Sequence, residues 1–82
     1  MYLEIITPDR RVFEGDVTSV KFPGINGGFE VLNNHAALIS ALANGAVRIT
    51  PATGAPVAFQ IDGGVVEVLD NKIIVLAEAV TA

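Results

Sequence analysis

His35 is the only histidine, and it is the first residue to test for chemistry. A catalytic imidazole needs a nucleophile or a second titratable group within reach, and a metal site needs partner ligands. Its neighbours Asn33, Asn34 and Ala36 supply neither, so His35 reads as structural or interfacial. The carboxylates Glu4, Asp9, Glu14, Asp16, Glu30, Asp62, Glu67, Asp70 and Glu78 are evenly spread. They form no Asp-x-Asp or Glu-x-x-His cluster and read as solvated faces. Asn26-Gly27-Gly28 and Gly63-Gly64 lack the strand-to-helix setting of a phosphate loop, and no GxGxxG or GxxxxGK[ST] occurs. With no cysteine there is neither a disulfide framework nor a thiolate-ligated metal. The expectation is no catalytic residue, no cofactor and no metal.

The bulk properties point elsewhere. Eighty-two residues allow one domain, expected over 1–82. Nine acidic against five basic side chains give a net charge of −4, a poor match for a phosphate backbone, so nucleic acid is excluded. There is no basic amphipathic stretch for an anionic membrane surface. Met1-Tyr2-Leu3-Glu4 does not open a signal or transit peptide. The longest charge-free run, between Glu30 and Arg48, is broken by Asn33, Asn34, His35, Asn44 and Gly45, too polar to insert into a bilayer. A soluble chain in a cytoplasm or equivalent reducing compartment is expected. Yet 51% of residues are hydrophobic and only 17% charged, with a mean hydropathy of +0.55. A domain this small buries only roughly 60–65% of the surface of its unfolded chain. Apolar surface is left over, and a contiguous apolar patch marks a partner.

The elements that would position such a surface are strands. Leu3 and Ile5 alternate with Glu4 and Ile6, and Val17–Phe22 is β-branched. Val47 and Ile49 alternate with Arg48 and Thr50, and 57, 59 and 61 are apolar at period 2. Val65–Asp70 and Lys72–Glu78 are apolar on much of both faces, which predicts central strands covered on both sides. Turn signals recur every few residues: Thr7-Pro8-Asp9, Glu14-Gly15-Asp16, Pro23-Gly24, Asn26-Gly27-Gly28, Asn44-Gly45, Pro51 to Pro56, Asp62-Gly63-Gly64 and Asp70-Asn71. This spacing argues for an all-β sandwich or barrel. Asp70-Asn71 reads as a two-residue hairpin turn needing positive φ. Gly63-Gly64 suits a bulge or a close backbone approach. Asn34–Gly45 is helical by local propensity, with Asn34 as N-cap and Gly45 just past the end.

Several phrases fall in one order: Leu3-Glu4-Ile5-Ile6-Thr7-Pro8, Phe13-Glu14-Gly15, Val17 to Phe22, His35-Ala36-Ala37-Leu38, Gly45 to Ile49, Gly63-Gly64-Val65-Val66-Glu67-Val68 and Ile74 to Glu78. This order resembles the N-terminal β-sandwich domain of the ε subunit of F-type ATP synthases, called δ in mitochondria, from Leu3 to about Ala79. The resemblance implies a flattened sandwich of two sheets, roughly ten short strands, with the Ala36–Ala43 stretch extended despite its helix propensity.

It also implies a non-catalytic central-stalk subunit, bound to the γ subunit and the c-subunit ring, coupling proton-driven rotation to ATP synthesis. Its expected place is peripheral, on the cytoplasmic face of a bacterial inner membrane. By position, the γ side comprises Thr7, Pro8, His35, Ala36, Leu38, Ile39 and Ser40. The ring side comprises Asn26, Gly27, Gly28, Phe29 and Glu30. Many relatives read Gly-Glu-x-Gly in that loop, where this chain has Gly27-Gly28-Phe29-Glu30, which displaces the acidic position. The Pro-Gly common before the histidine is Asn33-Asn34 here. Most relatives continue into a C-terminal helical hairpin that inhibits ATP hydrolysis, whereas this sequence stops at Ala82. The expectation is a short form that assembles and couples without that hairpin, with a fragment of a longer subunit as the other reading. The alternative from another class is a biotinyl- or lipoyl-type carrier domain modified at Lys72, beside the Asp70-Asn71 turn. A small-molecule-binding β domain is a third reading, for which no convergent polar site is visible.

Overall fold

In the computed structural model, which describes residues 1–81, every regular element is a strand. The order is β1 (Tyr2–Ile6), β2 (Arg11–Phe22), β3 (Phe29–Leu32), β4 (Leu38–Pro51), β5 (Val57–Leu69), β6 (Lys72–Ala77) and β7 (Val80–Thr81). Ala82, the last residue of the expected domain, lies outside the described residues.

The expected all-β class holds, but seven strands stand where roughly ten short ones are implied. Three of the expected turns are not turns. Glu14-Gly15-Asp16 lies within β2, Asn44-Gly45 within β4 and Asp62-Gly63-Gly64 within β5. Each long strand pairs with one set of neighbours before its glycine and another after it. The first layer is the first half of β4, the second half of β5, β6, β1 and the first half of β2. The second layer is β3, the second half of β2, the second half of β4, the first half of β5, and β7. Counting each long strand as two segments restores the expected number. Pairing of β1 with β2 closes the sheet.

Alternation along the strands fills the space between the layers. Leu3 and Ile5, Ile73 and Val75, and Val66 and Val68 point in from the first layer. Val20, Val31, Val47, Ile49 and Ile61 meet them from the second. Among the described residues the buried set contains no polar or charged side chain.

From Leu38 onward the segment with helix propensity is strand, and Asn34, with φ of 62°, lies in the turn before it rather than capping a helix. β4 is held through its length by β5, from Leu38 opposite Val68 to Ile49 opposite Val57. Gly45 is there for a different reason than a helix stop: a Cβ at this position would lie 2.7 Å from the Pro23 ring. Asp70 and Asn71 have φ of 51° and 62°, the two-residue hairpin turn expected between Leu69 and Lys72. Gly63-Gly64 is the close approach expected. At Gly64, with φ of 152°, a Cβ would stand 2.4 Å from the Leu76 carbonyl oxygen on β6.

Gly64→Ala combines that clash with a backbone conformation closed to other residues, so a loss of about 2 kcal/mol or more is expected. Urea unfolding monitored by circular dichroism measures it. An unchanged midpoint would mean that β6 can retreat freely, against the closure described above.

Candidate functional site

The outer face of the first layer can be laid out from strand register. One row across the strands is Tyr2, Lys72, Leu69. The next is Glu14, Glu4, Ile74, Glu67, Ile39. The third is Ile6, Leu76, Val65, Ala41. The two halves of this face differ in kind.

Toward β2 the face is polar and internally matched. Glu4 and Glu14 stand directly opposite each other, a repulsive pairing on adjacent strands. Arg11 lies between them. Its Nε–H donates to Glu4 Oε2 at 2.6 Å and it approaches Glu14 Oε1 at 3.5 Å. The Tyr2 hydroxyl donates to Glu14 Oε2 at 2.6 Å. Lys72 Nζ sits 5.7 Å from the centre of the Tyr2 ring. The hydrogen bond to the Glu14 carboxylate pushes the Tyr2 phenol up to about 12, and the two neighbouring carboxylates add to the shift. Glu4 also holds the Arg11 guanidinium above its ordinary range.

Toward β4 the face is apolar and uncovered. Ile39 is 73% exposed, Leu76 55%, Leu69 53% and Val65 42%. The double-sided apolar pattern of 65–70 and 72–78 predicts cover on both faces. β5 and β6 are central in their layer, but only the inner face is covered within this chain. A shallow groove lies at each of two corners. One is lined by Ile6, Thr7, Pro8, Leu76, Ala77 and Glu78, the other by Ala37, Leu38, Ile39, Glu67, Val68 and Leu69.

The residues expected to face a partner are divided by this geometry. Thr7-Pro8 lines the first groove, where the Thr7 hydroxyl accepts from the Asp9 and Arg10 N–H groups and shapes the turn. Ile39 projects outward into the apolar field. Leu38 and Ser40, at alternate positions, are half-buried, and Leu38 packs on the core. His35 and Ala36 precede β4. The half-buried His35 ring has Nδ1 2.7 Å from the Ala36 carbonyl oxygen. β1 and the first half of β4 are three strands apart, about 14 Å. Thr7-Pro8 and His35–Ser40 therefore bracket one face rather than form one spot. Val65, Leu69, Ile74 and Leu76 complete the face, and the double-sided apolar pattern was their signal.

The second expected site is the β2–β3 loop. Asn26, Gly27 and Gly28 are exposed at its tip, and Glu30 is exposed on β3. Phe29 is not at the tip. Its ring centre lies 5.5 Å from that of Phe22 and it packs on the core. Ile25, 62% exposed, takes the apolar place on the loop, and only its position between two turn signals could have marked it. Lys72 begins β6 rather than occupying the turn, and a carrier lysine needs the turn itself. Among the described residues no three His, Asp or Glu side chains converge as metal ligands.

The family model described as "ATP synthase, Delta/Epsilon chain, beta-sandwich domain" matches residues 1–82. The chain belongs to this family. The ATP synthase epsilon chain of Chlorobium limicola is 44% identical over 79 residues, 96% of this chain and 90% of that one. That of Chlorobaculum tepidum is 46% identical over the same shares. The epsilon chain of Salinibacter ruber is 40% identical over 95% of this chain, which spans only 58% of its length. The fold matches a chain of the Tetrahymena thermophila mitochondrial ATP synthase central stalk and c-ring, with a TM-score of 0.86 at 19% identity, over 99% of this chain and 65% of that one. It also matches a chain of the Euglena gracilis mitochondrial ATP synthase, with a TM-score of 0.89 at 20% identity, over 96% and 51%. The epsilon-family sandwich thus carries, on one layer, a polar strip beside an open apolar field.

Tyr2 is the only tyrosine and there is no tryptophan, so phenolate absorbance reports this strip directly. Alkaline titration should give a midpoint near 12, and Glu14→Gln should return it toward 10. Because the folded value is raised, the associated stability is complete below pH 10 and fades between pH 10 and 12. A wild-type midpoint at 10 would dissolve the Tyr2–Glu14 link.

Proposed function

We propose that this chain is a non-catalytic central-stalk subunit of an F-type ATP synthase, binding the γ subunit with the open face of the first layer and the c-subunit ring with the β2–β3 loop. It helps couple proton-driven rotation to ATP synthesis. It works at the cytoplasmic face of a bacterial inner membrane, held there by its partners, and among the described residues no helix is long and apolar enough to cross a membrane.

One observation carries this reading. Strands β5 and β6 are largely apolar on both faces, yet among the described residues nothing covers one of those faces. Burying a fully exposed Leu or Ile side chain contributes about 1.5–3 kcal/mol, and Leu76 and Ile39 retain more than half of that to gain, so a sheet left open in this way is stabilised by a partner. The two segments that the resemblance assigns to γ bracket that face. Torque transfer also asks for a stiff body, and a closed sandwich with a wholly apolar interior resists deformation.

Co-expression with the γ subunit of the same synthase, followed by size-exclusion chromatography, should give equimolar co-elution. Ile39→Asp should fold normally and weaken γ binding, because a carboxylate would be desolvated without a partner. Leu38→Asp should unfold the sandwich instead, since that side chain packs on the core. Separate elution of the wild-type chain from folded γ would defeat the assignment.

A further inference from the structure

Glu67 is the one charged side chain inside the apolar field. Its cross-strand neighbours are Ile39 on β4 and Ile74 on β6. Its neighbours on the same face of β5 are Val65 and Leu69. Among the described residues none forms an ion pair with it. Among the described residues both salt bridges are made by Arg11, to Glu4 and Glu14. Lys72 shares a shallow hollow with Glu67, Leu69, Asp70 and Ile74, but its ammonium is directed over the Tyr2 ring. Glu67 thus stands unpaired with four apolar side chains around it.

In the free chain this arrangement costs little, because Glu67 is exposed to water. Covering the apolar field changes that. A partner that buries Ile39, Val65 and Leu69 must also strip water from the carboxylate between them. An ionised carboxylate taken from water without compensation opposes association, and a well-placed cation reverses the sign. An arginine answers both carboxylate oxygens at once, which fixes orientation as well as energy.

Resting on the docking reading above, we infer that Glu67 is the ion-pairing anchor of the interface, its carboxylate receiving an arginine or lysine of the γ subunit set within an otherwise apolar contact. The surrounding isoleucines, valine and leucine exclude water from the pair, as energetically near-neutral contacts do around a hot spot. The pair also sets specificity. A partner lacking a cation at this point meets the full desolvation cost, so the carboxylate rejects wrong surfaces as strongly as it selects the right one.

The test uses the full chain and the γ subunit of the same synthase, with affinity measured by calorimetry at two salt concentrations. Glu67→Gln keeps the side-chain shape and removes the charge. It should weaken binding at least about tenfold and flatten the salt dependence, and Glu67→Lys should weaken it further. Affinity unchanged or raised in Glu67→Gln overturns the pairing, because a buried carboxylate without a cation is relieved by neutralisation. Lys72→Met should leave affinity within about threefold. A loss equal to that of Glu67→Gln would move the pairing to Lys72 of the same chain and overturn the proposal. Ile39→Asp separates the two levels: if it weakens binding while Glu67→Gln does not, the face is right and the anchor wrong. If neither variant changes affinity, the docking reading itself falls.

Discussion

Three strands of this sandwich are too long for the body that contains them. β2 has 12 residues, β5 has 13 and β4 has 14. At about 3.3 Å per residue they would run about 40–46 Å if straight. The longest dimension of the molecule is 26 Å. The strands stay paired through their whole length, so they must bend without breaking the ladder. They do so where β5 carries Gly63-Gly64, opposite Leu42 and Ala43 on β4 and against the β6 backbone at Leu76. Closure of the sheet, the two-layer core and the outward presentation of Ile39 and Val65 all follow from that bend. A side chain at Gly64 would push β6 away and open the layer on which the apolar field lies.

Most of the local structure was legible because alternation and turn chemistry are local. Asp70-Asn71 is readable as a positive-φ hairpin, and the alternation of Leu3 and Ile5 in β1 and of Val47 and Ile49 in β4 gives the inward faces of those strands directly. What local signals could not separate was a glycine that ends a strand from one that bends it. Gly15, Gly45 and Gly63-Gly64 punctuate the sequence like turns, yet neighbouring strands hold each of them inside a continuous ladder. The same limit governs Asn34–Gly45. Its helix propensity amounts to a few tenths of a kcal/mol per residue, and a full-length pairing with β5 outweighs it. The family order of motifs supplied that non-local information, and the residues alone did not.

The candidate site was partly legible for a related reason. Residues on one strand were grouped by sequence proximity, but a strand sends neighbours to opposite faces. Leu38 and Ser40 therefore turn inward while Ile39 turns out. Conversely, the double-sided apolar pattern of β5 and β6 correctly demands cover on both faces. Among the described residues the chain itself covers only the inner face. On the docking reading proposed above, a partner covers the second face, and the polar strip of Tyr2, Glu4, Arg11 and Glu14 marks where that cover stops. Those side chains already satisfy one another, so burying them adds cost without new bonds. The apolar half beside them gains from burial.

The β2–β3 loop connects this face to the other proposed contact. It is not a free tether. The Ala43 N–H donates to the Pro23 carbonyl at 2.8 Å, and the Ile25 N–H donates to the Ala41 carbonyl at 3.1 Å. Gly24 bridges Leu42 between them. Phe29, drawn inward against Phe22, braces the other end of the loop. Force applied at Ile25 or Asn26 therefore enters the backbone of β4 directly, two residues from Ile39. Moving the loop relative to the apolar face means breaking bonds in β4 at its bend, where Pro23 already fills the space beside Gly45. On the function proposed above, a loop meeting the ring and a face meeting γ would need such a short, stiff connection. The segment Ile39–Ala43 of β4 links the two proposed surfaces.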